Sequence, residues 1–114
     1  MEDELLTAAV GLQRGPDGEW NAGELLAALE EVLGADVKPF TVQRNLRRFV
    51  RNGWVAERTA EPDGPGRPRK LYRLRPDGVV RAQRAAARLV GAGADWALGP
   101  LRTTMVDLAP PPGL

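Results

Sequence analysis

Residues 39–53 read Pro39-Phe40-Thr41-Val42-Gln43-Arg44-Asn45-Leu46-Arg47-Arg48-Phe49-Val50-Arg51-Asn52-Gly53. Proline suits a first helical position, because the amide it lacks would be unpaired there anyway. Glycine suits the left-handed residue that closes a helix. At about 100° per residue with Val42 at zero, Leu46, Phe49 and Val50 fall within roughly 80° of it. Gln43, Arg44, Arg47, Arg48 and Arg51 fall between roughly 100° and 240°. The stretch is therefore a helix ending near Asn52. Its apolar face can pack, and its opposed cationic face can meet anions.

Working outward, Gly34-Ala35-Asp36-Val37-Lys38 makes a turn before this helix. The helix before the turn opens at Asn21, whose spacing to Glu24 matches a capping box. Leu25, Leu26, Leu29, Val32 and Leu33 form its apolar stripe, and Gly34 stops it. A first helix spans about Asp3 to Gln13, with Leu5, Leu6, Ala9 and Val10 on one face and carboxylates at its positive end. Gly15-Pro16-Asp17-Gly18 breaks the chain, and Glu19 and Trp20 suit a very short strand. Downstream, Trp54–Thr59 and Arg69–Leu74 read as two strands joined by a Gly/Pro-rich loop. Pro76 opens a fourth helix running to about Leu89, with a break at Gly91 and Gly93 and one further turn over Ala94–Leu98.

The formal charge of +1 conceals a block pattern. Residues 1–37 hold one Arg against nine Asp/Glu, a net of −8. Residues 38–88 hold 14 Lys/Arg against four Asp/Glu, a net of +10. The basic block is either a polyanion surface or a solvated face balanced by the acidic N-terminal part. The chain has no Cys and no His. That removes disulfides, thiolate and imidazole metal ligands, and Ser-His or Cys-His catalysis. No nucleophile–base pair or phosphate-cradling glycine loop stands out, so neither a catalytic residue, a metal site nor a cofactor is expected. The acidic start is wrong for a signal peptide, and no apolar run suits a membrane span. A cytoplasmic protein is the expectation.

Three helices and a hairpin, with a basic second helix in the helix-turn-helix pair, form a DNA-reading arrangement. The expected fold is mainly α with a small β-hairpin wing. On this reading Thr41, Gln43, Arg44 and Arg47 face the major groove, where Arg can pair with guanine and Gln with adenine. Lys38, Arg48 and Arg51 touch phosphates, which gives salt-dependent affinity. The wing tip, Gly66-Arg67-Pro68-Arg69-Lys70, offers Arg67, Arg69 and Lys70 on a stiff backbone. It could follow a phosphate ridge or enter a narrow minor groove; the alternative is a solvated turn.

The run Gly64-Pro65-Gly66-Arg67-Pro68-Arg69-Lys70-Leu71-Tyr72-Arg73-Leu74-Arg75-Pro76-Asp77-Gly78 resembles the wing and last-helix start of PadR-like transcriptional regulators. Pro39-Phe40-Thr41-Val42 with Leu46, Arg48 and Gly53 also resembles that family's recognition helix. The resemblance covers about Leu5 to Arg88. It implies a winged helix-turn-helix domain over residues 1–75 and a C-terminal dimerisation helix over 76–98. It further implies a homodimer that binds a pseudo-palindromic operator and represses. Gln43 stands where the family often has Tyr, and Lys38 where a Ser cap is common.

Val79, Ala82, Gln83, Ala86 and Val90 share one face of the fourth helix. Small residues there permit close helix approach, either between two protomers or within one domain. Trp96 could line a pocket between protomers and stack on a small aromatic effector, or simply fill a core. Trp20 and Trp54 read as core. Residues 99–114, ending in Pro110-Pro111-Pro112, read as a flexible Pro-rich tail. Two other functions fit the pattern: a winged-helix protein-protein interaction module, and a non-specific nucleic-acid-binding protein of plasmid or phage maintenance.

Overall fold

The structure, a computed structural model, describes residues 1–62 and 64–108. Its elements are α1 (Glu2–Leu12), α2 (Ala22–Leu33), α3 (Pro39–Arg51), β1 (Val55–Ala60), β2 (Arg69–Leu74), α4 (Pro76–Gly91), a 3₁₀ turn (Asp95–Ala97) and α5 (Leu98–Met105). The strands pair antiparallel, with Val55 opposite Leu74 and Ala60 opposite Arg69. This is the expected mainly helical chain with a hairpin wing.

The local signals form as read. Asn21 Oδ1 accepts from the Glu24 amide at 2.8 Å, and Glu24 Oε1 accepts from the Asn21 amide at 3.1 Å. Gly34 closes α2 in the left-handed region at φ 63°. In the turn between α2 and α3, the Glu30 carboxylate accepts the Val37 amide at 3.0 Å. This fixes how α3 leaves α2, and so where its outer face points.

Helix α1 is more deeply set than its one-face pattern implies. Six consecutive residues, Leu5 through Val10, are buried. Neighbours surround it: α4 packs along it, and α2 and α5 cover other sides. A helix closed in all round can spare no polar side chain without a partner, and the Thr7 hydroxyl donates to the Asp3 carbonyl at 2.7 Å. Gln13, the residue after α1, is also buried. Its Oε1 accepts from the Trp20 indole at 3.2 Å and from the Leu74 amide at 2.7 Å. One side-chain oxygen thus ties the end of α1 to the base of the wing. Trp20 and Tyr72 exchange two backbone hydrogen bonds, at 3.0 and 2.8 Å, so the expected short strand exists as a single bridge on β2.

Two expectations are corrected. Trp20 is core, but Trp54 precedes β1 and is half-buried, with the Arg81 guanidinium 4.1 Å above its ring. Residues 99–114 do not begin as a tail. Helix α5 continues to Met105, Thr104 is buried, and Leu108 joins the main core. Pro100 is tolerated because it lies in the first turn, where its missing amide costs no bond. The proline run at 110–112 lies outside the described residues. After Gly93, at φ 93°, the chain turns and α5 packs back on α1 and α4.

Candidate nucleic-acid interface

The outer face of α3 carries Gln43, Arg44, Arg47 and Arg51, all exposed. The inner face buries Val42, Leu46 and Phe49. Thr41 is half-buried at the helix start, and Lys38 is exposed as the cap residue. The wing stands beside this face, with Arg67, Arg69 and Lys70 exposed. Between them lies an open cleft of about 520 Å³. Gln43 and Arg47 of α3 line it with Arg69 and Lys70 of the wing, and Asn21, Ala22 and Gly23 at the start of α2 complete one wall. Residues up to 51 positions apart in sequence therefore share one cationic surface. The positive end of α2 opens onto it.

Sequence reading missed five members of this cleft: Asn21, Ala22 and Gly23 at the start of α2, and Glu57 and Tyr72 of the wing. Glu57 faces Tyr72 across the wing, and both line the cleft. The Glu57 carboxylate lies 3.7 Å from Lys70 Nζ. Burial, and then the neighbouring Glu57 charge, pushes the Tyr72 phenol above its ordinary value. It is therefore a neutral hydroxyl near pH 7. Strand alternation from Val55, buried, would have placed Glu57 on the same face, had the partner strand's register been known.

Arg48, expected at a phosphate, is engaged within the chain. Its Nη2 lies 3.2 Å from Glu2 Oε1 and donates to Asn45 Oδ1 at 2.9 Å. Asn45 is buried and donates onward to the Thr41 carbonyl at 2.8 Å. Arg48 thus belongs to a polar chain between α1 and α3. Two more cations of the basic block meet the same acidic helix start. Arg81 lies 3.4 Å from Glu2, and Arg88 makes a two-pronged pair with Asp3 at 2.8 and 2.9 Å. The Arg88 hydrogen bonds hold the Asp3 carboxyl below its ordinary range, against an opposing effect of burial. Arg58 of the wing pairs likewise with Glu19, at 2.7 and 2.9 Å.

The expected dimer face divides. Val79, Ala82 and Ala86 are buried inside the chain, so they cannot be what a second copy touches. The small side chains let α4 approach α1 closely, the within-domain alternative. Gln83 and Val90 are half-buried, and Val80 beside them is 42% exposed. Trp96 is half-buried at the edge of a groove of about 370 Å³, with Ala8, Leu12, Ala28, Val32 and Pro100. That groove is formed within one chain.

Two solved structures resemble this arrangement. Bacillus subtilis PadR, in complex with operator DNA, superposes with a TM-score of 0.56 and 21% identity over 96% of this chain. The chain has a PadR-like winged-helix fold. It spans about half the length of that protein, 51%. The circadian clock associated protein Pex from Anabaena gives a TM-score of 0.59 at 21% identity, covering 80% of this chain and 77% of Pex. No protein-family model matches the chain, and no curated protein matches it by sequence. At 21% identity the PadR-like relation is one of fold. Among the described residues, no helix is long and apolar enough to cross a membrane.

Proposed function

We propose that this chain is a sequence-specific DNA-binding transcription regulator, working in the cytoplasm as a homodimer and repressing from a pseudo-palindromic operator. The cleft carries the reading. It joins hydrogen-bonding side chains of α3, Gln43 and Arg47, to wing cations, Arg69 and Lys70. Duplex DNA needs that combination, with base-edge donors in the groove and cations along the adjoining phosphates. Arg44, exposed on the same α3 face, extends the first set, and Lys38, Arg51 and Arg67 extend the second. The operator complex of the PadR neighbour supports this use of the fold. The homodimer is what the sequence resemblance to PadR-like regulators implies, with Gln83, Val90 and Val80 of α4 left for a partner. No catalytic role is assigned to any residue.

The test is selection of bound duplexes from random sequence, followed by titration across salt concentrations. A regulator enriches one motif, arranged as two inverted half-sites, and its affinity falls steeply with salt. Enrichment of no motif would overturn sequence specificity and leave the non-specific binder. No DNA affinity at moderate salt would leave the protein-interaction module. A single, unrepeated half-site would overturn the dimer.

A further inference from the structure

One residue on the cationic face of α3 has no use for a phosphate. Phe40, beside Pro39 at the helix start, is 63% exposed. On the helical wheel it falls at roughly 160°, between Arg47 at roughly 140° and Arg44 at roughly 200°. The ring therefore stands in the middle of the charged stripe rather than at the edge of the core. The Arg44 guanidinium lies over it, 5.8 Å from the ring centroid. The other large exposed apolar side chains among the described residues all lie off α3.

Exposure of this ring contributes nothing to folding, and the surrounding charges exclude it from an ordinary apolar patch. In the major groove, the apolar group that a base pair presents is the C5 methyl of a pyrimidine. A guanidinium held over an aromatic face keeps its donor edge free, in the fork that matches guanine O6 and N7. Neighbouring side chains at i and i+4 on a helix reach neighbouring points in the groove.

Building on the DNA-binding reading above, we infer that Phe40 and Arg44 together recognise a two-base step. Phe40 packs on the C5 methyl of a pyrimidine, and Arg44, oriented by the ring, pairs with the adjacent guanine. The methyl is the recognised group, whether thymine or 5-methylcytosine bears it. Phe40 is thus a specificity-determining residue.

Replacing thymine by deoxyuridine removes that methyl and alters no hydrogen-bonding group. In the selected operator, each thymine is replaced in turn and the affinity of the full chain measured. One thymine per half-site, beside a guanine, should weaken binding about four-fold when its methyl is lost, the effect of uncovering one such group. With cytosine at that position, methylation at C5 should strengthen binding by a similar factor; if only the thymine arm responds, the group is read on thymine alone. Phe40→Ala should bind the thymine and deoxyuridine operators alike, and Phe40→Leu should retain part of the difference. Unchanged thermal melting of both variants would show that the fold is intact, as the exposure of Phe40 predicts. A motif without a methyl-sensitive thymine, or a Phe40→Ala chain that still distinguishes the two operators, overturns the inference and leaves the regulator reading standing. Enrichment of no motif overturns both.

Discussion

The arginines facing α1 and those on the outer side of α3 belong to one basic block, yet they meet opposite surroundings. Arg48, Arg81 and Arg88 each reach a carboxylate of Glu2 or Asp3, at 3.2, 3.4 and 2.8 Å. Arg44, Arg47, Arg51, Arg67 and Arg69 reach no carboxylate among the described residues. The balanced-charge reading therefore describes one flank, and the other is left as the candidate polyanion surface. The acidic helix start neutralises one flank; of the cations lining the α3–wing cleft, Lys70 meets a carboxylate, Glu57, at 3.7 Å, and Arg47 and Arg69 meet none among the described residues. A count of cations overstates the surface that a polyanion can meet, and it does not say where that surface is.

That contrast can be broken most severely at Gly78, where both flanks depend on one contact. A Cβ there would stand 1.9 Å from the Trp54 carbonyl oxygen, which is backbone and cannot swing aside. Gly78→Ala should cost at least about 3 kcal/mol of stability in denaturant unfolding. A loss under about 1 kcal/mol would mean that α4 can slide away from the wing base.

Reversing a charge on the open flank separates binding from folding. Arg47→Glu should weaken operator binding roughly 100-fold, about 3 kcal/mol, through a lost contact and a new repulsion. Its midpoint of unfolding should stay within about 0.5 kcal/mol of the parent, as for exposed positions generally. Equal loss of both would show that Arg47 is structural.

Neutralising the paired flank should do the reverse. Glu2→Gln with Asp3→Asn should lower stability by about 1 kcal/mol, the scale of mostly exposed pairs. DNA affinity should hold or rise, because Arg48, Arg81 and Arg88 are then released. A fall in affinity, with the fold intact, would show that the polar chain from Glu2 through Arg48 and Asn45 positions α3.

The smallest effect is on acid stability. Asp3 is held below its ordinary value near 3.8, first by its hydrogen bonds to Arg88. Its contribution is present above that ordinary value and lost as pH falls through the lowered one. Asp3→Asn should therefore flatten the acid limb of a stability–pH curve. An unchanged limb would mean that the pair contributes nothing in solution.

Much of the frame was legible because it is written in short-range chemistry. The Asn21–Glu24 box, the glycines at 34 and 53, and the prolines at 39 and 76 each act within a few residues, and each marks the boundary expected. The cationic face of α3 was equally legible, being a matter of helical period. Long-range pairing was not. Nothing near Arg48 in sequence announces Glu2, 46 residues away. The face of Val79, Ala82 and Ala86 fits a partner copy or α1 equally well by size. Residues 99–108 were misread because the proline run at 110–112 coloured the whole segment, although α5 reaches Met105 and Leu108 joins the core.

The base of the wing gives the molecule a lever. Trp54 accepts the Arg75 amide at 2.9 Å, lies against Gly78 and is covered by Arg81. Its own amide donates to Phe49 of α3 at 2.9 Å. Helix α3, the wing and the first turns of α4 are thereby yoked. In a dimer joined along α4, the crossing angle of the two helices would set how far apart the two reading heads stand. The permitted gap between half-sites would then be a property of that angle, and residues remote from DNA could retune it without altering a single base contact.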